Sequence, residues 1–376
     1  MTLTQPDSKK TLEATFKVGI LGASGYGGAE LLRRLQDHPH MHLTGIASRQ
    51  YLGKPVSACW TQFADSDFAD ELVFTDTDST VADAEVLFSA APHGSVTDVV
   101  AEAVRAGKKV IDLSADFRLP AADYKQWYGS PLAYPDLYAQ SVYGLVELHR
   151  DEIDRASFVA NPGCHATVGA LALAPLAAHG LLGKHIAITS TTGISGAGRG
   201  ASSATHYSEL NENFKAYKVA GTHRHTAEIE HSLGRVQAWG KRARTHEPFT
   251  PVTVSFNPHL APMTRGILAT AYTHPEGKQL PGGQSVSTEG LLELYRTFYA
   301  ADPLITVQKD LPQTKATYGS DRVVISVRVD GRSGHIIAFA AEDNLGKGAA
   351  GQAVQNFNLM MGLPETTGLM LRAVYP

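Results

Sequence analysis

The stretch that most restricts the fold is a glycine turn set between an apolar run and a leucine-rich one. Phe16 to Leu21 reads Phe-Lys-Val-Gly-Ile-Leu, short, apolar and partly β-branched, as a buried strand requires. It runs into Gly22-Ala23-Ser24-Gly25-Tyr26-Gly27-Gly28, and Ala29 to Leu35 then carries leucines at helical spacing. Strand, glycine turn, helix is the context that a phosphate-binding fingerprint requires. Gly22 permits the tight turn, Gly25 lets the backbone approach a pyrophosphate, and Gly28 lets the helix pack close to the strand. The N–H groups at the helix start then face the phosphates. The spacing is G-x-x-G-x-x-G rather than G-x-G-x-x-G, and a plain tight βα turn is the competing reading.

Further strands and helices alternate behind this unit. His42 to Ala47 is a second strand, ending in Ser48-Arg49 where an NAD enzyme would carry an acid for the ribose hydroxyls. A hydroxyl followed by a guanidinium suits a 2′-phosphate, so NADP is expected over NAD. Ala84 to Ala90 is a strand entering Ala91-Pro92-His93-Gly94, Ser95 to Ala106 a helix, and Lys109 to Leu113 the next strand. Repeats of this length mean a parallel, doubly wound sheet with ligands at the strands' carboxyl ends. That places Ala90 and Pro92 near the cofactor and makes Arg118 a cation for an anionic substrate. Tyr124 to Leu148, rich in Tyr, Pro and Gly, reads as irregular surface or a lid. Within it, Glu147 is expected as the buried partner of an arginine, and it stands with the candidates for substrate binding.

The chemistry centres on Asn161-Pro162-Gly163-Cys164, a strand end and tight turn that open an apolar run. A thiol at a helix start meets converging N–H groups, which favour the thiolate and make a nucleophile of it. Pro175 should kink or end the helix that follows. Gly193-Ile194-Ser195-Gly196-Ala197-Gly198-Arg199-Gly200 is too glycine-rich for a helix interior; it suits an anion nest to which Arg199 adds charge. In Thr222-His223-Arg224-His225-Thr226-Ala227-Glu228, one imidazole paired with the thiol explains the cluster better than a metal, because no matching ligand set exists. His223 is the chosen acid/base and His225 the reserve, since spacing does not separate them. Val252 to Phe256, Thr264 to Tyr272, Val323 to Val329 and His335 to Ala341 read as strands of a mainly antiparallel sheet that pairs subunits. Asn344 then leads into an amphipathic helix, Ala349 to Met361.

With 376 residues the chain exceeds a single core, so two domains are expected. After a disordered tail, 1–14, residues 15–163 and 345–376 form a Rossmann domain, and 164–344 an α+β catalytic and oligomerisation domain. A net charge of −4 without a long basic run gives nucleic-acid binding no support. No stretch is apolar enough to span a bilayer, and the polar start lacks a signal-peptide core. Two cysteines make no disulfide framework, which fits a reducing cytoplasm.

Gly22 to Leu32, Asp112 to Arg118, Val142 to Leu148, Asn161 to Thr167, Ser195 to Arg199, His223 to Ile229 and Asp343 to Gly351 together resemble N-acetyl-gamma-glutamyl-phosphate reductases. These are NADP-dependent enzymes of arginine biosynthesis, grouped with aspartate-semialdehyde and glyceraldehyde-phosphate dehydrogenases. The resemblance covers about Lys17 to Gly368. It implies Cys164 as nucleophile, His223 as acid/base, and reductive dephosphorylation through a thioester. It implies cofactor contacts from Gly22, Ser24, Gly25, Tyr26, Gly27, Ser48, Arg49, Ala90 and Pro92, joined by Ser195, Gly196 and Asn344. Substrate contacts would come from Arg118, Glu147, Asn161 and Arg199, with no metal, in a homodimer or homotetramer. His165 stands where the family usually has an aromatic residue, Val146 replaces its usual proline, and Gly27 a common threonine. The alternatives are the aminoadipyl-phosphate reductase of lysine biosynthesis, whose substrate rides on a carrier protein; aspartate-semialdehyde dehydrogenase, which shares the thiol chemistry; and a non-catalytic NADP-sensing protein.

Overall fold

Seven parallel strands build the first sheet of the computed structural model, which describes residues 15–64 and 72–375. They are β1 (Phe16–Leu21), β2 (Met41–Ala47), β3 (Phe74–Thr75), β4 (Val86–Ser89), β5 (Lys109–Asp112), β6 (Val142–Tyr143) and β7 (Phe158–Ala160). Their order is β3-β2-β1-β4-β5-β7-β6, and every pairing is parallel. The order reverses between β1 and β4, which leaves a crevice at their carboxyl ends, where Gly22 and Ala90 lie. The Tyr26–Leu35 and Thr97–Arg105 helices are crossovers, as the apolar spacing implies. The expected tail, 1–14, falls outside the described residues.

The second sheet comprises β8 (Ile186–Thr192), β9 (Lys215–Ala216), β10 (Val254–Leu260), β11 (Ile267–Thr273), β12 (Ile305–Val307), β13 (Val323–Val329) and β14 (Ile336–Glu342). Its order is β12-β13-β14-β11-β8-β10-β9. Pairing is antiparallel except at β8/β10 and β12/β13. The Rossmann sheet and the mainly antiparallel second sheet are those expected. Along β8 and β11 buried residues alternate with more open ones, the mark of a sheet with one covered face. The Cys164–Ala178 and His225–Trp239 helices cover that face, with Leu171, Leu173, Ile229 and Leu233 in a common core with Ile188 and Ile267.

Three segments differ from expectation. Pro175 neither ends nor breaks its helix, which runs on to Ala178. A proline removes the hydrogen bond to the carbonyl four residues back. That carbonyl, Leu171 O, accepts from the Tyr299 hydroxyl at 2.5 Å instead, and Ala172 O accepts from Tyr295 at 2.7 Å. Tyr124 to Leu148 is not an irregular lid. It holds the Ala121–Tyr128 and Pro135–Tyr138 helices and β6, and it buries Tyr124, Leu137, Tyr143 and Leu145. The segment after Asn344 is not amphipathic. One π-helical turn, Gly346–Ala350, leads into the Gly351–Met360 helix, in which only Leu359 escapes full burial. Ala353, Val354 and Phe357 join Val18, Ile20 and Phe88 in the first core. Burial of a side chain such as Phe357 is worth about 1.5–3 kcal/mol.

An ion pair also ties the two sheets together. Arg34, on the Tyr26–Leu35 helix, donates from Nε to both Asp321 carboxylate oxygens at 3.1 Å, and neither side chain is exposed.

Candidate active site

Cys164 is the first residue of its helix, and the preceding Gly163 places no side-chain cap over the helix start. Two features hold that turn. Asn161 donates from Nδ2 to Ala349 O at 3.2 Å and accepts from Asn356 at 3.0 Å, while the Gly163 N–H donates to Glu228 Oε2 at 3.0 Å. Asn161 lines the cleft with its amide already engaged on both sides. The expectation of a lowered thiol pKa is not met. Burial pushes the Cys164 thiol up to about 12; the Glu342 carboxyl adds to the rise, and the His165 N–H opposes it. Burial, reinforced by Glu342, outweighs the partial charge of one helix end. The resting group is a thiol that needs a base.

The imidazole that lines the cleft with Cys164 is His225, whereas His223 is the first choice from sequence. His223 sits among His165, Tyr217 and Phe256, at ring distances of 5.4, 5.6 and 5.3 Å, and accepts the His225 N–H at 3.2 Å. His225 opens its own helix and lines the cleft with Gly163 and Cys164. Its ring packs so closely that a Cβ on Gly163 would lie 2.4 Å from Nε2. Alternation fails to distinguish the two histidines because the helix starts between them. Burial, then the neighbouring His223, holds His225 well below the ordinary imidazole range; burial brings His223 to about 4 and His165 to about 3. His165 bonds Ser190 at 2.7 Å and Tyr217 at 2.9 Å, so this neutral ring fills an aromatic slot.

Glu228 is the residue that sequence reasoning passed over. It accepts from Tyr143 at 2.8 Å, Gly163 at 3.0 Å and Arg118 at 3.2 Å, and it lies three residues after His225 on the same helix face. That spacing was the available signal. Arg118 also donates to Leu113 O at 2.7 Å; burial works against its charge, but Glu228 more than offsets this. Arg118 lines the cleft beside Cys164. Glu147 does not. It is 2% exposed, donor-bonded by Lys347 Nζ at 2.6 Å, and outside the cleft, so the substrate reading for it is corrected to a structural ion pair. Its partner is a lysine rather than the expected arginine.

The cleft, about 670 Å³, extends from Cys164 to the glycine turn and includes Ser24, Tyr26, Gly27, Ala90, Pro92, Ser195, Gly196 and Asn344. The turn fits a dinucleotide. Gly22 has φ +77°, and a Cβ there would meet Ala91 Cα at 2.7 Å; one on Gly28 would meet Ala23 Cα at 2.5 Å. Gly25 caps the Tyr26–Leu35 helix without a side chain, leaving its N–H groups open to the cleft. A neighbouring recess of about 270 Å³ holds Ser48, Arg49 and Gln50. Ser48 donates to Ser24 at 2.9 Å, and Arg49 is exposed at the end of β2. Asn344 donates to Ser195 at 2.9 Å and accepts from Gly266 N–H at 2.8 Å, which fixes the Ser195 loop. Arg199 lies at the cofactor end, not beside Cys164. It stacks 4.3 Å from the Trp60 ring centre and donates to Ser24 O at 2.8 Å.

Residues 17–156 match the family model for the semialdehyde dehydrogenase NAD binding domain, and 164–344 that for the semialdehyde dehydrogenase dimerisation domain. Aspartate semialdehyde dehydrogenase II of Vibrio cholerae, in complex with ASA, has a similar fold, with a TM-score of 0.68 at 17% identity over 93% of this chain and 99% of that one. The Candida albicans aspartate semialdehyde dehydrogenase with NADP gives 0.67 at 18% identity, with the same coverage. The N-acetyl-gamma-glutamyl-phosphate reductase of Thermus thermophilus is 51% identical over 96% of this chain and 100% of its own length. That of Desulforudis audaxviator is 46% identical over 96% of this chain and 99% of its own. The chain belongs to the N-acetyl-gamma-glutamyl-phosphate reductase family.

Proposed function

We propose that the protein reduces N-acetyl-gamma-glutamyl phosphate to N-acetylglutamate semialdehyde, releasing phosphate, as a step of arginine biosynthesis. The observation that carries this reading is that Cys164 and His225, each opening a helix, face one cleft with the glycine turn. His225 takes the thiol proton. The thiolate attacks the acyl carbon, the C–O bond to phosphate breaks, and a thioester forms on Cys164. The glycine turn, Ser48 and Arg49 would hold NADPH, which would supply the hydride that reduces the thioester carbon. The thiohemiacetal oxyanion collapses, the C–S bond breaks, and Cys164 leaves as thiolate and recovers its proton from His225. Backbone N–H groups at the start of the Cys164 helix stabilise the oxyanion. Arg118, aligned by Glu228, binds substrate anion, and Arg199 serves the cofactor end. His223 supports His225 by accepting its N–H.

Residues 15–163 with 345–376 act as the nucleotide domain and 164–344 as the catalytic one. The outer face of the second sheet, where Tyr272 is 39% exposed, pairs two copies as a homodimer or half of a homotetramer. Free Cys59 and Cys164 suit a reducing cytoplasm. Run backwards, the reaction is phosphate-dependent reduction of NADP by a semialdehyde. N-acetylglutamate semialdehyde should turn over faster than aspartate semialdehyde or the aminoadipate homologue. A preference for either competitor refutes the substrate assignment, and no turnover of any supports a non-catalytic NADP-binding role.

A further inference from the structure

Glu342, the last residue of β14, is fully buried, and neither of its carboxyl oxygens has a hydrogen-bond partner. A carboxylate in that state would carry an uncompensated buried charge. Its position is the second observation. A Cβ built on Gly348 would lie 2.8 Å from Glu342 Oε1 and 2.9 Å from Cys164 Cβ, so the acid and the nucleophile's side chain border one space that a single methyl group would fill. The nearest cation does not neutralise Glu342, because Lys347 is already committed to Glu147 and Gln355.

We infer that Glu342 controls the charge on Cys164: the two buried acids have room for one negative charge between them, so the carboxyl must stay protonated for the thiolate to form. Glu342 is thus a positioning residue that acts through the nucleophile. The inference rests on Cys164 being that nucleophile. Like charges at this range cannot both ionise cheaply, and each pushes the other's titration upward. Burial does most to oppose the ionisation of Glu342 and outweighs Lys347, which favours it; Asp343 and Glu147 add to the opposition. Around the thiol, Glu228 acts with Glu342 and Arg118 against them. His225 and Tyr217 complete the titratable surroundings. Where Glu342 ionises, it also repels an acyl phosphate.

The test is the pH dependence of Cys164 alkylation by iodoacetamide in the full chain, read on the Cys164 peptide so that Cys59 does not contribute. In Glu342→Gln the midpoint should fall by about one unit, with alkylation like the parent's where Glu342 is protonated and up to about tenfold faster where the parent's Glu342 ionises. Glu342→Leu should do the same, which guards against loss of fold in one variant. In the unsubstituted protein, an infrared band of a protonated carboxyl should persist at neutral pH and vanish in either variant. Unmoved midpoints, or a Glu342 that ionises in the ordinary carboxylate range, overturn the inference. If Cys164→Ser keeps full activity, the proposed function fails; if that activity is lost while the Glu342 variants alkylate as the parent does, only the inference fails.

Discussion

A guanidinium at position 49 and a hydroxyl at 48 stand where the end of β2 meets the recess beside the glycine turn. Reversing the charge with Arg49→Glu should cut the NADPH-over-NADH ratio of kcat/KM roughly ten- to hundredfold, the worth of a charge-assisted contact. An unchanged ratio would place the 2′-phosphate elsewhere. The histidines offer a sharper comparison. His225→Asn should lose about a hundredfold or more in kcat, as removal of an acid/base does, whereas His223→Asn should cost under about tenfold. The reverse order would restore the sequence-based choice. That Cys164, Arg118 and the glycines come together in one cleft was legible because each sits at a turn with its own chemical signature. The choice between His223 and His225 was not, because one residue's shift in a helix start reverses which ring meets Gly163. Glu147 misled for a related reason: a buried acid announces a cation, but only packing shows that the cation is Lys347.

At the scale of elements, the strand-turn-helix unit was readable because glycines there are required by contact. Gly28→Ala would drive a Cβ into the Ala23 backbone at 2.5 Å, and overpacking of this kind costs about 1–3 kcal/mol. Thermal unfolding with and without NADPH should show both lower stability and weaker cofactor protection; unchanged values would mean that the turn relaxes at no cost. The Cys164 helix shows where local rules stop. Pro175 reads as a breaker, and its helix continues because Tyr299, far along the chain, satisfies the carbonyl it frees. The Gly351–Met360 helix likewise has polar residues, such as Gln352 and Asn356, that spacing assigns to a wet face. Both side chains instead donate to Gly144 O, at 2.7 and 2.9 Å, in the interior.

Over the whole molecule, the two-sheet plan followed from alternation of strands and helices, but the links between the sheets came from single long-range pairs. Asp321→Ala leaves the buried Arg34 with Glu30 as its remaining carboxylate and should destabilise by about 1–3 kcal/mol, measured by urea unfolding. Acid should also weaken the fold. Burial lowers the pKa of His38, His149, His165, His223 and His225, with His149 and His165 at about 3. The unfolded chain therefore binds protons below about pH 6.5 that the native state refuses, so stability falls as pH drops from there toward 3. His149 and His165 each contribute about 1.4 kcal/mol per pH unit within that window. Buried Asp112 and Glu342 pull the other way, since they stay protonated in the fold as pH rises, but the histidines outnumber them. Urea midpoints that rise on acidification from pH 6.5 to 4.5 would contradict this balance.

The most direct measurement replaces one sulfur by oxygen. In Cys164→Ser, phosphate-dependent reduction of NADP by N-acetylglutamate semialdehyde should fall by at least about a thousandfold while NADP still binds. Turnover at the parental rate would mean that no thioester forms at residue 164.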